Sequence, residues 1–297
     1  MTPPELAGLR LDQGLAELAK ISRRRARRLI DAGQLYLDTR PTRTLSRRLA
    51  TGSVLDLLPP WDGTALPTSL PPLNIVFEDR WLVALAKPAG MAAAAPRTRR
   101  PGELTAGEAL AMVLSDRAGR RVEVVLIHRL DRATSGLMLF ALQPRAAQGL
   151  GRAFQQGGVA KRYLAVVTGD PGPGEVVLDH PIDRDPLTPG RFAPSPRGRP
   201  ARTVVRALAR QASHSLVEIW PLTGRSHQIR VHLACAGCPI VGDALYGGAS
   251  APRLMLHAWR LELRHPVTGA PLSLTAPTPE DWAAHLRRWG VQLPAEQ

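Results

Sequence analysis

The sequence predicts an α+β fold, in which a small N-terminal α+β module precedes a larger domain with a central, mostly antiparallel sheet. Strand-like runs of β-branched or alternating apolar residues dominate the larger part of the chain, with few helical segments between them. A segment rich in proline, threonine and serine separates this part from a basic N-terminal region. Runs of strands with few intervening helices are typical of α+β domains. At 297 residues, the chain is long enough for one large domain and one small one.

The N-terminal module is predicted to span residues 1–58 and to bind RNA through a basic helix. Asp12 can cap a first helix, and Ser22 can cap a second helix over residues 23–32. Like charges at i, i+4 destabilise an isolated helix, so a crowded basic face indicates an anionic partner. A solvated basic helix without a partner is the alternative. The arginines on this face are Arg23, Arg24, Arg27 and Arg28.

Residues 59–72 are predicted to form a semi-extended, proline-rich linker, and residues 73–297 the larger domain. Strands are expected at 73–77, 82–86, 122–127, 136–142, 163–168, 203–209, 215–222 and 227–233. Helices are expected at 105–115, 146–156 and 280–289. This order of elements predicts the mostly antiparallel sheet.

The formal net charge of +14 predicts a polyanionic partner, either nucleic acid or an acidic membrane surface. The chain contains no stretch of about 18 apolar residues and no hydrophobic core of a signal peptide. We therefore expect a soluble, cytoplasmic protein with no membrane partner. It also lacks a glycine-rich phosphate loop, which disfavours nucleoside triphosphate chemistry.

Two cysteines and two histidines are candidate ligands of a zinc ion: Cys235, Cys238, His227 and His232. On the predicted strand 227–233, however, the two histidines would point to opposite faces of the sheet. A pair of buried thiols in a reducing compartment is the favoured interpretation. No metal or other cofactor is therefore expected.

One carboxylate stands out because it lies between two arginines directly after an apolar strand. The run His-Arg-Leu-Asp-Arg places Asp131 between Arg129 and Arg132, in the connection between strands 122–127 and 136–142. Functional side chains are often displayed in such connections. A carboxylate that merely closes an Asx-type turn is the structural alternative.

This segment, residues 128–137, resembles the catalytic loop of the RluA-type pseudouridine synthases, and other segments resemble that family in the same order. Residues 161–165 resemble the family's tyrosine strand, and residues 223–233 resemble its arginine strand. The N-terminal module is similar to the RNA-binding module named after the fourth small-subunit ribosomal protein. Further similar segments are 78–90, 198–203, 242–247 and 254–258.

The resemblance implies the pseudouridine synthase fold and an isomerase that detaches uracil from ribose, rotates it and rejoins it through carbon. It implies that Asp131 is the essential catalytic residue, either attacking the glycosidic carbon or removing a neighbouring proton. It further implies that Tyr163 stacks on the extruded base and that Arg129 fills the gap left in the RNA. Arg230, on the predicted strand 227–233, would be the counter-ion that keeps Asp131 charged.

The identity of the RNA stays open at this point. Large-subunit 23S ribosomal RNA is favoured because of the N-terminal module, and transfer RNA is the alternative. Two other functions compete: a non-catalytic RNA-binding factor in ribosome assembly, and a glycosylase that stops after base release. We expect a monomer in which His128 and His227 are hydrogen-bonding scaffold rather than acid–base groups.

Overall fold

The computed structural model describes residues 2–31, 35–38, 40–42, 44–57, 73–94, 104–211 and 213–288. The chain divides into two units, of which the first contains residues 1–70 and 94–122 and the second contains residues 71–93 and 123–297. Residues 94–122 are grouped with the first unit, whereas the sequence predicted them to belong to the larger domain. The predicted linker, 59–72, lies outside the described residues.

The first unit packs short helices against a three-stranded antiparallel sheet with the order β2-β1-β3. Its core is formed by leucines and isoleucines of both helices and the sheet, among them Leu11, Leu15 and Ile30. A third helix, over 106–118, belongs to the same unit, where Glu108 accepts a 2.8 Å hydrogen bond from the Tyr36 hydroxyl. The elements are α1 (Leu11–Leu18), α2 (Arg23–Asp31), β1 (Leu35–Leu37), β2 (Arg40–Pro41), β3 (Leu55–Leu57) and α3 (Ala106–Ala118).

Of the two N-caps predicted for the helices of this unit, the structure contains one and lacks the other. Ser22 caps α2 by accepting a hydrogen bond of 3.2 Å from the backbone N–H of Arg25. Asp12 does not cap α1, because the N-cap residue is Arg10 and Asp12 lies fully buried within the first turn. The prediction of an Asp12 cap was therefore wrong, and its carboxylate has different partners.

The second unit is built on a ten-stranded sheet. Its main path has the order β4-β5-β7-β14-β8-β13-β12-β9, while β15 pairs with β14 and β6 pairs with β7. Among the described strands, β7 and β14 run parallel and the other paired neighbours run antiparallel, which confirms the predicted sheet. The strands of this sheet are β4 (Asn74–Glu78), β5 (Leu82–Lys87), β6 (Val125–Leu126), β7 (Ser135–Ala141), β8 (Ala160–Thr168), β9 (Glu175–Leu178), β12 (Thr203–Gln211), β13 (His214–Pro221), β14 (Leu256–Arg264) and β15 (Pro271–Thr275). Two further strands, β10 (Ile182–Arg184) and β11 (Phe192–Pro194), pair antiparallel in a separate two-stranded sheet.

Three helices pack on this sheet: α4 (Pro144–Gln155), α5 (Gln228–Cys235) and α6 (Glu280–Arg288). Leu150 of α4 is buried with residues of β5 and β7. Leu233 of α5 and Trp282 of α6 are buried with residues of β8 and β13. Packing of α5 onto the sheet fixes the loop that precedes this helix. None of the helices in the described ranges combines the length and apolar character needed to cross a bilayer.

The parallel pairing of β7 and β14 depends on a glycine. Gly136 has φ of +114°, and a Cβ there would lie 2.1 Å from the carbonyl oxygen of Ala258. Only glycine allows this backbone conformation and this close approach. The approach draws the start of β7, and with it the preceding loop, towards β14 and its other neighbour β8.

The prediction of a strand over 227–233 was wrong, because these residues lie in and just before α5. The apolar residues Ile229, Val231 and Leu233 alternate with polar ones, which is the pattern of a half-buried strand. All residues from 228 to 233 are nevertheless buried, the polar ones through specific hydrogen bonds. A helix buried on every side has no solvated face, so the helical period is absent from its sequence.

Candidate active site

Asp131 lies in the loop between β6 and β7, where its side chain remains about one-third exposed, at 32%. The neighbouring Leu130 is buried and anchors the loop. The turn is closed by the backbone, since the carbonyl oxygen of Asp131 accepts a 3.1 Å hydrogen bond from the N–H of Thr134. The carboxylate is therefore left for contacts with other side chains and with a substrate.

Arg230, on α5, is shared by two carboxylates. Its Nη1 lies 3.5 Å from Oδ2 of Asp131. Its Nε and Nη2 donate hydrogen bonds of 2.7 and 2.8 Å to the two carboxylate oxygens of Asp243. Burial would lower the pKa of Arg230, but the hydrogen bonds and negative charge of Asp243 raise it above its usual value. The guanidinium is therefore fixed in place and permanently charged beside Asp131.

His227 and Tyr246 complete the surroundings of Asp131. His227 adopts the left-handed conformation, with φ of +54°, and its Nε2 lies 3.8 Å from Oδ2 of Asp131. Its Nδ1 shares a 2.9 Å hydrogen bond with the Tyr246 hydroxyl, whose ring lies 4.9 Å from the Arg230 guanidinium carbon. Burial lowers the pKa of His227, although the charge of Asp131 opposes the shift. A neutral, hydrogen-bonded imidazole fits the predicted scaffold role.

Tyr163 lies on β8, opposite Ile219 of β13 and Ala258 of β14. Its side chain is partly exposed and packs against the core that contains Ile219. Burial and the nearby charge of Asp131 both raise the pKa of Tyr163 above its usual value. The phenol therefore remains protonated and presents an uncharged ring within electrostatic range of Asp131.

The two residues before Leu130 have contrasting environments. His128 accepts a 3.0 Å hydrogen bond at Nε2 from the backbone N–H of Leu139, and its ring stacks on Phe154 at 4.6 Å. Burial, assisted by the charge of Lys161, lowers the pKa of His128 to about 4. Arg129 is exposed, and its side chain forms no hydrogen bond or ion pair with the part of the chain that the structure describes. An arginine without such a partner is available to a ligand outside the chain.

Sequence reasoning assigned no role to Lys87, a buried lysine at the end of β5. Its side chain is 1% exposed, and its ammonium donates to the carbonyl oxygens of Pro88, Met91 and Arg132 at 3.0, 2.9 and 3.2 Å. Burial lowers the pKa of Lys87 to about 7, although the negative charge of Asp131 opposes this shift. The bond to Arg132 ties the loop that carries Asp131 to the end of β5.

Asp243 and Tyr246 were also missed as site residues. Both lie in segment 242–247, which the family resemblance had singled out without assigning roles. The signal was an aspartate directly after a glycine, in a segment that resembles the family, downstream of a predicted catalytic arginine. It could have identified Asp243 as a second partner of Arg230.

The basic residues of the N-terminal module form a cluster around Asp12. The Asp12 carboxylate is fully buried and accepts hydrogen bonds from Nε of Arg10, Arg23 and Arg27 at 3.1, 2.9 and 2.9 Å. Burial would raise the pKa of Asp12, but these three hydrogen bonds lower it well below its usual range. Arg24 is exposed and has no hydrogen bond or ion pair within the described residues, while the side chain of Arg28 lies outside them.

The residues considered for zinc have other partners. The ring nitrogens of His232 contact Thr203 Oγ1 at 2.8 Å and the carbonyl oxygen of His180 at 3.0 Å. Cys238 is buried, but Cys235 is exposed, contrary to the prediction of two buried thiols. Within the described ranges, no three histidine, cysteine or acidic side chains are grouped so that they could hold a metal ion.

The sequence matches two protein family models. Residues 81–235 match the RNA pseudouridylate synthase family, and residues 9–55 match the S4 domain. The first match covers Asp131, Tyr163 and Arg230. The second covers the arginine cluster around Asp12.

Two curated relatives and one solved structure agree with these matches. Ribosomal large subunit pseudouridine synthase D of Nitrosomonas europaea is 36% identical over 96% of this chain and 86% of the relative. tRNA pseudouridine synthase C of Salmonella typhimurium is 36% identical over 73% of this chain and 90% of the relative. The structure of human RNA Pseudouridylate Synthase Domain Containing 4 superposes with a TM-score of 0.62 at 28% identity, covering 74% of this chain and 94% of the human one. The chain therefore belongs to the RNA pseudouridylate synthase family, as its sequence predicted.

Proposed function

We propose that this enzyme isomerises specific uridines of 23S ribosomal RNA, in the large ribosomal subunit, to pseudouridine. The observation that carries the proposal is the accessible carboxylate of Asp131, held beside the buried guanidinium of Arg230. Ribosomal RNA is chosen because of the share of the chain that each relative matches. The relative named for the large subunit matches 96% of the chain, whereas the relative named for transfer RNA matches 73%. Transfer RNA is the second candidate substrate.

The reaction begins when the target uridine leaves its stack, which costs a few kcal/mol. Arg129, exposed and free of described partners, fills the space that the base leaves in the RNA. The extruded uracil lies against the ring of Tyr163. Stacking of this kind contributes about 1–3 kcal/mol and places little restriction on rotation within the plane of the base. Tyr163 can therefore hold the base while it turns.

Asp131 then acts on the ribose. The bond between a base nitrogen and the ribose breaks, and a bond from a base carbon to the same ribose carbon forms. The base carbon loses its proton, and the released base nitrogen gains one, so the reaction is an isomerisation. Asp131 attacks the ribose carbon or removes a neighbouring proton, and both routes need the ionised carboxylate. Arg230 places a positive charge beside this carboxylate, and Asp243 holds Arg230 in place.

The test is an assay of uridine-labelled 23S ribosomal RNA and transfer RNA incubated with the purified protein. Pseudouridine in 23S RNA is the expected product. Pseudouridine in transfer RNA alone would select the second substrate, free uracil would indicate a glycosylase, and no product with intact RNA binding would indicate an assembly factor. Asp131→Asn, assayed alongside, excludes contaminating activity.

We also propose that the enzyme is a cytoplasmic monomer with an RNA-binding module at residues 1–58. Free thiols at Cys235 and Cys238 are usual for proteins of a reducing compartment. The residues around Asp131 come from one chain, so the site does not require a second copy. Light scattering from the purified protein, with and without RNA, measures the number of chains in the active species.

A further inference from the structure

Lys161 is a partly buried cation that the proposed mechanism does not use. It lies on β8 two residues before Tyr163, so the two side chains point to the same face of the sheet. Within the described residues, its ammonium forms no hydrogen bond or ion pair. Burial lowers the pKa of Lys161, as expected for an ammonium removed from water without an anion beside it. Such a group costs free energy unless a partner is supplied from outside the chain.

The ammonium lies where two loops of the active site approach each other. A Cβ placed on Gly224, in the loop before α5, would be 4.0 Å from Nζ of Lys161. The charge of Lys161 also contributes to the lowered pKa of His128, which directly precedes Arg129. Lys161 is therefore close to both the loop that carries Asp131 and the loop that leads to Arg230.

We propose that Lys161 binds a phosphate of the substrate RNA, at a linkage adjacent to the flipped uridine. The inference rests on the proposed function, in which Tyr163 holds the extruded base. Uracil and ribose are neutral, so the phosphates are the anions that RNA brings to this cation. An ammonium offers three donors, which suit phosphate oxygens. Side chains two residues apart on a strand are about 6–7 Å apart along it, so a base on Tyr163 brings its own linkage close to Lys161.

The first experiment compares two substitutions on RNA that the parent protein modifies. Lys161→Met should lower kcat/KM roughly tenfold or more, mainly through KM, because a charge-assisted hydrogen bond is lost. The slope of log affinity against log salt should fall by about 0.7–0.9. Lys161→Arg, the matched control, should keep most of the parent's affinity and slope. An unchanged slope in Lys161→Met would overturn the proposal.

A folding measurement separates substrate binding from a structural role. Removing a partly buried charge that has no anion beside it should leave the unfolding midpoint in urea unchanged or raise it. A fall in the midpoint of Lys161→Met that accompanies the loss of activity would show a structural lysine and contradict the proposal.

The second experiment replaces single phosphates around the target uridine by neutral methylphosphonates. With the parent protein, one linkage should be sensitive to this change, and at that linkage Lys161→Met should cause no further loss. If Lys161→Met lowered kcat/KM by the same factor on every RNA, with or without a methylphosphonate, the phosphate subsite would be refuted. Failure of the proposed function would give a different result, because the parent protein would then make no pseudouridine even from RNA without methylphosphonates.

Discussion

The two units each contain a cluster of arginines and carboxylates, with opposite proportions. In the first unit one fully buried carboxylate, Asp12, accepts hydrogen bonds from three arginines, and Arg23 and Arg27 remain 45% and 48% exposed. In the second unit one buried arginine, Arg230, faces two carboxylates. Of these, Asp243 is 1% exposed and Asp131 is 32% exposed.

The difference shows how the same residue types serve different chemistry. Around Asp12 the arginine donors outnumber the acceptors, so several guanidinium N–H groups face solvent and can contact an anion. Around Arg230 the carboxylates are in excess, and Asp243 takes two of the guanidinium's donors while Asp131 stays accessible. One cluster therefore exposes positive charge, which in the proposed function contacts RNA, and the other exposes a single carboxylate, which in the proposed function acts on the ribose.

The largest expected effect is on catalysis, from Asp131→Asn. The change preserves shape and removes the charge that both proposed routes require, so turnover should fall by more than about a thousandfold. The side chain is partly exposed, so the free energy of unfolding should change by no more than about 0.5 kcal/mol. Pseudouridine formation by the purified variant and its urea denaturation check both statements. Turnover above a trace would remove Asp131 from the mechanism.

A large effect on stability is expected from Arg230→Met. It leaves Asp243 buried without a counter-ion, and breaking such a pair typically costs about 3–5 kcal/mol of unfolding free energy. Activity should fall as well, because Asp131 loses the cation beside it. Urea denaturation and an assay of pseudouridine formation at neutral pH are the measurements.

The control for Arg230→Met is a double variant in which Asp243 is replaced as well. Arg230→Met with Asp243→Leu removes both buried charges and should recover most of the lost stability, yet remain inactive. Arg225→Met removes a partly exposed arginine of the loop before α5, whose Nε bonds the carbonyl oxygen of Pro200, and it should leave activity and stability close to those of the parent protein. A double variant no more stable than Arg230→Met would contradict the buried pair.

A smaller effect, dependent on pH, is expected from Asp12→Asn in the other cluster. The pKa of Asp12 is lowered in the folded state, whereas in the unfolded chain an aspartate titrates near 3.9. Its stabilisation is therefore complete above the unfolded value and disappears as the pH falls through the folded one. At neutral pH the variant should be less stable by about 1–3 kcal/mol. Urea denaturation of parent and variant should show this gap narrowing in acid, and a constant gap would contradict the cluster.

Much of the fold could be predicted because short, continuous apolar runs indicate buried strands and an amphipathic period indicates a surface helix. The strand expected at 136–142 corresponds to β7, and the helix expected at 146–156 corresponds to α4. The failure at 227–233 has a physical reason, since a helix buried on all sides shows no amphipathic period. Contacts between distant segments, not local pattern, make this segment a helix.

The candidate site was predicted less completely than the fold. Asp131 and Arg230, far apart in the sequence, do lie together. The second carboxylate on Arg230, from Asp243, and the bond from Lys87 to the loop that carries Asp131 were missed. Such partners depend on tertiary geometry, because Lys87 and Arg132 are separated by 45 residues and meet through a backbone carbonyl. Sequence pattern indicates which residue types are present but not which groups they bond.

The smallest expected effect distinguishes two neighbouring arginines of α2. Arg24 is exposed without a described partner, so Arg24→Ala should weaken RNA binding severalfold and lower the salt slope by about 0.7–0.9. Its unfolding free energy should change by less than about 0.5 kcal/mol. Arg23→Ala should lower both the salt slope and the stability, because Arg23 also bonds the buried carboxylate of Asp12. RNA binding at several salt concentrations, with urea denaturation, measures both quantities. If Arg24→Ala leaves the slope of log affinity against log salt unchanged, this face of α2 does not contact RNA phosphates. The excess of arginines around Asp12 would then not serve RNA binding.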